Sequence, residues 1–198
     1  LTALLGREHK FAQLDVWQRF ALSLGLSLAS LPLFLLWTTT LGIRLNRTWV
    51  FVLFGFLLAL KVWQLRQIVQ DRIRTGWKAP IQFNWDAFAL LLIFLFSLGI
   101  RLAMTRDLAA PAWVDSVHHA TLVRLILEQG AYPDSYQPLI PAATASYHAG
   151  YHAVMACYTW LAGLELQQGM LIFGQVLNAL SVVAAYLFTL SLTTNRKA

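Results

Sequence analysis

Charge is scarce in this sequence. Of its 198 residues only 12% are Asp, Glu, Lys or Arg, against about 25% in an ordinary soluble domain. So little charge cannot cover a water-facing surface, and a soluble globular fold is excluded. Cysteine is scarcer still: Cys157 stands alone, so no intrachain disulfide can form, and its apolar neighbours suit a small core residue better than a nucleophile. No internal repeat and no recognisable leader peptide are present; the first apolar run, from Phe20, is longer than a leader core. No basic stretch is interleaved with aromatics in the manner of single-strand binders, so the net charge of +6 does not point to nucleic acid. Lys and Arg instead flank apolar runs, as topology signals facing anionic lipid. The start at Leu1 and the short polar tail from Thr193 to Ala198 suggest a piece of a longer protein.

What is abundant is apolar surface, 58% of residues, with a mean hydropathy of +0.58. No charged side chain occurs from Phe20 to Ile43 or from Leu166 to Asn195. Each gap exceeds the roughly 20 helical residues that cross a bilayer core of about 30 Å. The pattern predicts membrane helices over Phe20–Leu41 (interrupted by Pro32), Thr48–Leu65, Phe83–Met104, His148–Leu164 and Leu166–Leu192. The expected fold is an all-α polytopic bundle of about five membrane helices, with an external loop that contains an amphipathic interfacial helix. Two parts are expected: residues 1–82, a helix pair with a basic connection, and 83–198, the remaining helices and the loop. The densest basic stretch, Lys61, Arg66, Arg72, Arg74 and Lys78, marks the cytoplasmic side. Residues 105–147 then face outward from a plasma (inner) membrane.

The loop is too long for a simple turn. Asp115 is positioned as an N-cap and Gly130 as the residue beyond the C-terminus of a helix over Ser116–Gln129. At about 100° per residue, Asp115, His118, His119, Leu122, Leu125, Ile126 and Gln129 share a face. Val117, Thr121, Arg124 and Glu128 form a separate stripe. The Tyr/Pro-rich stretch Tyr132–Pro138 should be extended and turn-rich.

Four of the five histidines fall between positions 118 and 152. Asp115 with His118 and His119 can form a general base, hold a phosphate or bind a divalent metal; it also fits a plain helix cap beside interfacial polar residues. His148 and His152, four apart, can chelate a metal, but no Glu lies between them, so the metalloprotease pattern is absent. With Tyr147 and Tyr151 they equally fit an aromatic belt at the headgroups. Zinc or manganese on Asp115, His118, His119, His148 and His152 is the metal option. Arg124 suits a lipid phosphate or an interfacial anchor. Gln175 and Asn178 suit packing between helices.

The order of elements resembles the start of the membrane-embedded GT-C glycosyltransferases, such as protein O-mannosyltransferases and aminoarabinose transferases. A membrane helix leaves the cytoplasm, a loop aspartate follows, a surface helix comes next, and a Tyr/Pro-rich stretch leads to the next helix. The resemblance covers roughly Phe83 to Leu192. It implies transfer of a sugar from a polyprenyl-phosphate donor to an acceptor hydroxyl on the external face, with Asp115 as catalytic base. His118, His119, Arg124, Tyr147, His148 and His152 would then contact substrate. The sequence departs from the family in lacking a second acidic residue beside Asp115 and the Pro-Pro-Leu before the next helix. The alternative is a non-catalytic polytopic protein, a transporter component or scaffold, that binds a membrane lipid or a partner through the loop.

Overall fold

The computed structural model describes residues 14–74, 84–112, 114–144 and 148–193. Seven helices are formed among them: α1 (Val16–Thr40), α2 (Arg47–Arg74), α3 (Trp85–Thr105), α4 (Val114–Gln129), α5 (Gly150–Ala162), α6 (Leu166–Ala179) and α7 (Ser181–Leu192). The described residues contain no β-strand, only an isolated antiparallel bridge between Ser135 and Ala143.

Polar caps start the long helices. Asp15 accepts from the Gln18 amide at 2.8 Å and its own amide donates to Gln18 Oε1 at 2.9 Å, a reciprocal capping box on α1. Asn46 Oδ1 accepts from the Trp49 amide at 3.0 Å, and Asn84 Oδ1 from the Ala87 amide at 3.0 Å. α1 continues through Pro32. α2 runs on to Arg74, beyond the expected end at Leu65, because Arg66–Arg74 holds no Gly or Pro to stop it.

Four helical stretches are long and apolar enough to cross a bilayer: Val16–Thr40, Arg47–Asp71, Trp85–Thr105 and Leu166–Leu192, with mean hydropathies of 1.9, 1.8, 2.3 and 1.9. The chain is therefore an integral, multi-pass membrane protein, with about four spans rather than the expected five. The helix expected over His148–Leu164 is the one that fails. α5 has 13 residues, about 20 Å of helix, too short for the hydrocarbon core. It also buries His152, Ala153, Met155, Ala156 and Cys157, whereas the first three spans bury almost none of their residues. α5 is a core helix at one end of the bundle. The last span is jointed: α6 and α7 meet at Leu180.

The packed core gathers where α4, α5 and the start of α6 meet the end of α1 and the start of α2. It contains Leu35, Leu45, Val123, Ile126, Met155, Ala156 and Phe173. The helices before residue 82 pack with those after it: α1 lies against α5 and α7, and α2 against α5. At the opposite end of the bundle, Trp17 Nε1 donates to the Ala87 carbonyl at 3.0 Å, joining the starts of α1 and α3. At the core end the α1–α2 turn docks on the end of α4. The Leu45 amide donates to the Gly130 carbonyl at 2.7 Å, and the Tyr132 amide donates to Thr39 Oγ1 at 2.9 Å. Gly130 is left-handed (φ 67°), and a Cβ there would collide with the Leu45 carbonyl. Two requirements therefore select glycine at one position.

Candidate functional site

The apolar side of α4 decides where its polar residues stand. Leu122, Val123, Leu125 and Ile126 are buried against the core, so the helix packs on protein rather than lying on the bilayer by itself. His118 and His119, one turn earlier on the same side, are half-buried. α5 brings His152 to meet them. His152 is 1% exposed, and its Nε2 lies 2.9 Å from His119 Nδ1. Its Nδ1 lies 2.9 Å from the His148 carbonyl oxygen.

These two contacts fix the tautomers. A carbonyl oxygen only accepts, so His152 Nδ1 carries the proton and Nε2 the lone pair. His119 Nδ1 must then donate to His152 Nε2, which leaves the lone pair of His119 on its Nε2. A directed chain results, running from His119 through His152 to the His148 carbonyl. Tyr151 meets the His119 ring edge-on at 5.6 Å between centroids. Tyr136, from the loop, places its hydroxyl 3.2 Å from His118 Nε2.

The loop that carries Tyr136 is tied to itself. The Tyr136 amide donates to the Ala142 carbonyl at 2.8 Å, the Thr144 amide to the Asp134 carbonyl at 3.0 Å, and the buried Thr144 hydroxyl to the Pro133 carbonyl. The expected turn-rich stretch is thus a closed finger that leans on α4.

Burial disfavours the charged form of both inner histidines. His152 is pushed down to about 4, mainly by desolvation. The His148 carbonyl opposes that shift, and His119, His118 and His148 add to it. His119 is lowered, again first by burial and then by His118 and His148; Asp115 pulls the other way. Asp115 therefore stands within electrostatic reach of His119. It is exposed, and its side chain makes no hydrogen bond to another described residue.

No protein-family model, curated protein or solved structure matches the chain. What the site can do is therefore read from its own residues.

Several sequence expectations change. Asp115 lies within the first turn of α4, which begins at Val114, so it is not the N-cap. His152 is too buried to touch a substrate. Burial lowers His119, which disfavours the charged form that would hold a phosphate. His148 precedes the first residue of α5 and is exposed; it does not share a helical face with His152 but lends it a carbonyl. Arg124 points away from the histidines, on the opposite side of α4, into a separate cleft. Tyr147 lies outside the described residues. Among the described residues, no three His, Cys, Asp or Glu side chains come together as a metal site, so the metal option gains no ligand set. Tyr136 was not singled out from sequence. It reaches His118 across 18 positions, and the only hint was the excess of tyrosine in that stretch.

Proposed function

We propose that the chain belongs to a membrane glycosyltransferase of the GT-C type, which transfers a sugar from a polyprenyl-phosphate donor at the external face. The observation that carries this reading is Asp115: an exposed carboxylate in the first turn of the helix that follows the third span, beside a histidine cluster locked from behind. An acceptor hydroxyl gives its proton to Asp115 as its oxygen attacks the anomeric carbon. The bond from that carbon to the lipid phosphate breaks, and the phosphate departs with the electron pair. His119 and His152 hold the start of α4 in place instead of contacting substrate. In this reading His118 and His148 meet the phosphate.

Four spans support the outward placement of residues 105–147 better than five. With a cytoplasmic N-terminus, the segment after α7, with Arg196 and Lys197, returns to the cytoplasmic side, as the positive-inside rule favours. The plasma membrane is the compartment this reading requires.

The test is Asp115→Asn, assayed in membranes for transfer from a polyprenyl-phosphate sugar. Loss of a general base should cost about 10²–10⁴ in rate; undiminished transfer overturns the assignment. Sidedness is checked with a cysteine at Ser116 and an impermeant thiol reagent. Native Cys157 is buried, with its thiol pushed up to about 11, and stays silent. Labelling only from the cytosolic side removes the reading. A non-catalytic polytopic protein is the second reading, favoured by the inward packing of His119 and His152. It predicts that Asp115→Asn changes nothing measurable in sugar transfer.

A further inference from the structure

On the far side of α4 from the histidines lies a cleft of about 490 Å³. Its apolar walls include Pro111 from the α3–α4 link, Val117 of α4, Leu139 of the loop and Met170 of α6; Arg124 and Glu128 stand on its α4 side. It is lined by residues just after the third span and at the start of the fourth, where a bilayer around those spans would place its headgroups. Val117 and Leu139 are 68% and 62% exposed although they lie outside the spans, so the rim is itself suited to acyl chains.

Arg124 and Glu128 are one turn apart and both exposed, yet they form no ion pair; among the described residues only Arg106 and Asp107 do. The cleft thus offers one positive and one negative pole about 5–6 Å apart at their Cβ atoms. An anionic lipid would meet Arg124 favourably and Glu128 unfavourably, and a cation would meet the reverse. A zwitterion with phosphate and ammonium a few bonds apart satisfies both.

We propose that this cleft seats one aminophospholipid, with its phosphate on Arg124, its primary ammonium on Glu128 and its chains over Val117 and Leu139. A choline headgroup matches less well, because its quaternary nitrogen has no N–H to donate to Glu128. The site is separated from the histidine cluster by the body of α4 and does not depend on the glycosyltransferase reading.

The test is native mass spectrometry of the full chain, titrated in mild detergent with phosphatidylethanolamine, phosphatidylcholine or phosphatidylglycerol of matched chains. One additional charge-assisted contact of about 1 kcal/mol predicts roughly five-fold more ethanolamine-lipid adduct than of either other lipid. Glu128→Gln should abolish the preference over choline lipid while leaving an adduct, and Arg124→Gln should remove most adduct of all three. Both side chains are exposed and outside the core, so the variants keep the fold, with helicity by circular dichroism as the check. Equal adducts for the three lipids, a preference for phosphatidylglycerol, indifference to both substitutions, or a protein dimer in place of lipid adducts would each overturn the proposal.

Discussion

Acidification should loosen the protein through His152 in particular. In the unfolded chain this imidazole titrates near 6.5, and in the folded protein near 4. The folded pKa is depressed, so the unfolded state binds more protons below 6.5. The stability the neutral ring contributes is complete above 6.5 and is lost as pH falls through 4. For pKa values of 6.5 and 4, the loss is about 2 kcal/mol at pH 5 and about 3 kcal/mol at pH 4. His119, lowered as well, adds in the same direction. A proton on His152 Nε2 would also face the His119 Nδ1 proton across 2.9 Å, so charging the ring requires His119 to move its own proton to Nε2 and reverses the contact.

Thermal unfolding in detergent, recorded from pH 7.5 to 4, is the assay. Carboxylates titrate near the lower end, so the informative quantity is the difference between the native chain and His152→Asn, which cannot titrate. The native chain should lose stability more steeply between pH 6.5 and 4, by about 2–3 kcal/mol. His119→Asn should keep most of that slope, since His152 remains buried. Parallel profiles for the native chain and His152→Asn would refute the reasoning, as would a ring that titrates near 6.5 by NMR.

Other substitutions probe the scaffold. Gly130→Ala combines a left-handed backbone with a collision at the Leu45 carbonyl; unfolding titrations should show a loss of about 2–4 kcal/mol, beyond the roughly 1–2 of the backbone conformation by itself. Met155→Ala removes a fully buried side chain at the centre of the core, and the same titration should show a loss of about 2–5 kcal/mol. Tyr136→Phe deletes the hydroxyl beside His118 Nε2; stability should fall by about 0.5–1.5 kcal/mol, and NMR should show a shifted His118 ring.

The spans were legible because a bilayer demands long stretches without charge, and the gaps at Phe20–Ile43 and Leu166–Asn195 supply them. The end of α4 was legible because Gly130 does there what few other residues can. α5 was not, since an apolar run composes a core helix and a membrane helix alike, and only its 13-residue length distinguishes them. The joint at Leu180 has no Gly or Pro to announce it. In the site, the periodicity of α4 assigned His118 and His119 to the buried side and grouped Arg124 with Glu128. The partner of His119 lies 33 positions away, and no local pattern relates the two. The substrate contact expected of Arg124 came from the order of elements, whereas the periodicity of α4 already set it on a stripe apart from the histidines, as its separate cleft reflects.

Cohesion and apolar exposure are divided unevenly along the molecule. The buried side chains concentrate at the end where α4 and α5 meet the α1–α2 turn, while the first three spans bury almost none of their apolar residues. α1 and α2 even leave a cleft of about 530 Å³ between them, lined by Leu26, Phe34, Trp37 and Phe54. Lipid is the solvent that makes such exposure inexpensive, since an apolar side chain gains little by leaving acyl chains for a protein interior. At the level of the headgroups water competes, so the hydrophobic effect operates there and a packed core forms. The histidine chain sits in that core, and this explains why its charged form is disfavoured. The same desolvation that consolidates α4 on α5 strips the imidazoles of the water that would stabilise their charge. Asp115, the base of the proposed transfer, escapes that environment by its place in the first turn of α4, ahead of the helix's buried contacts.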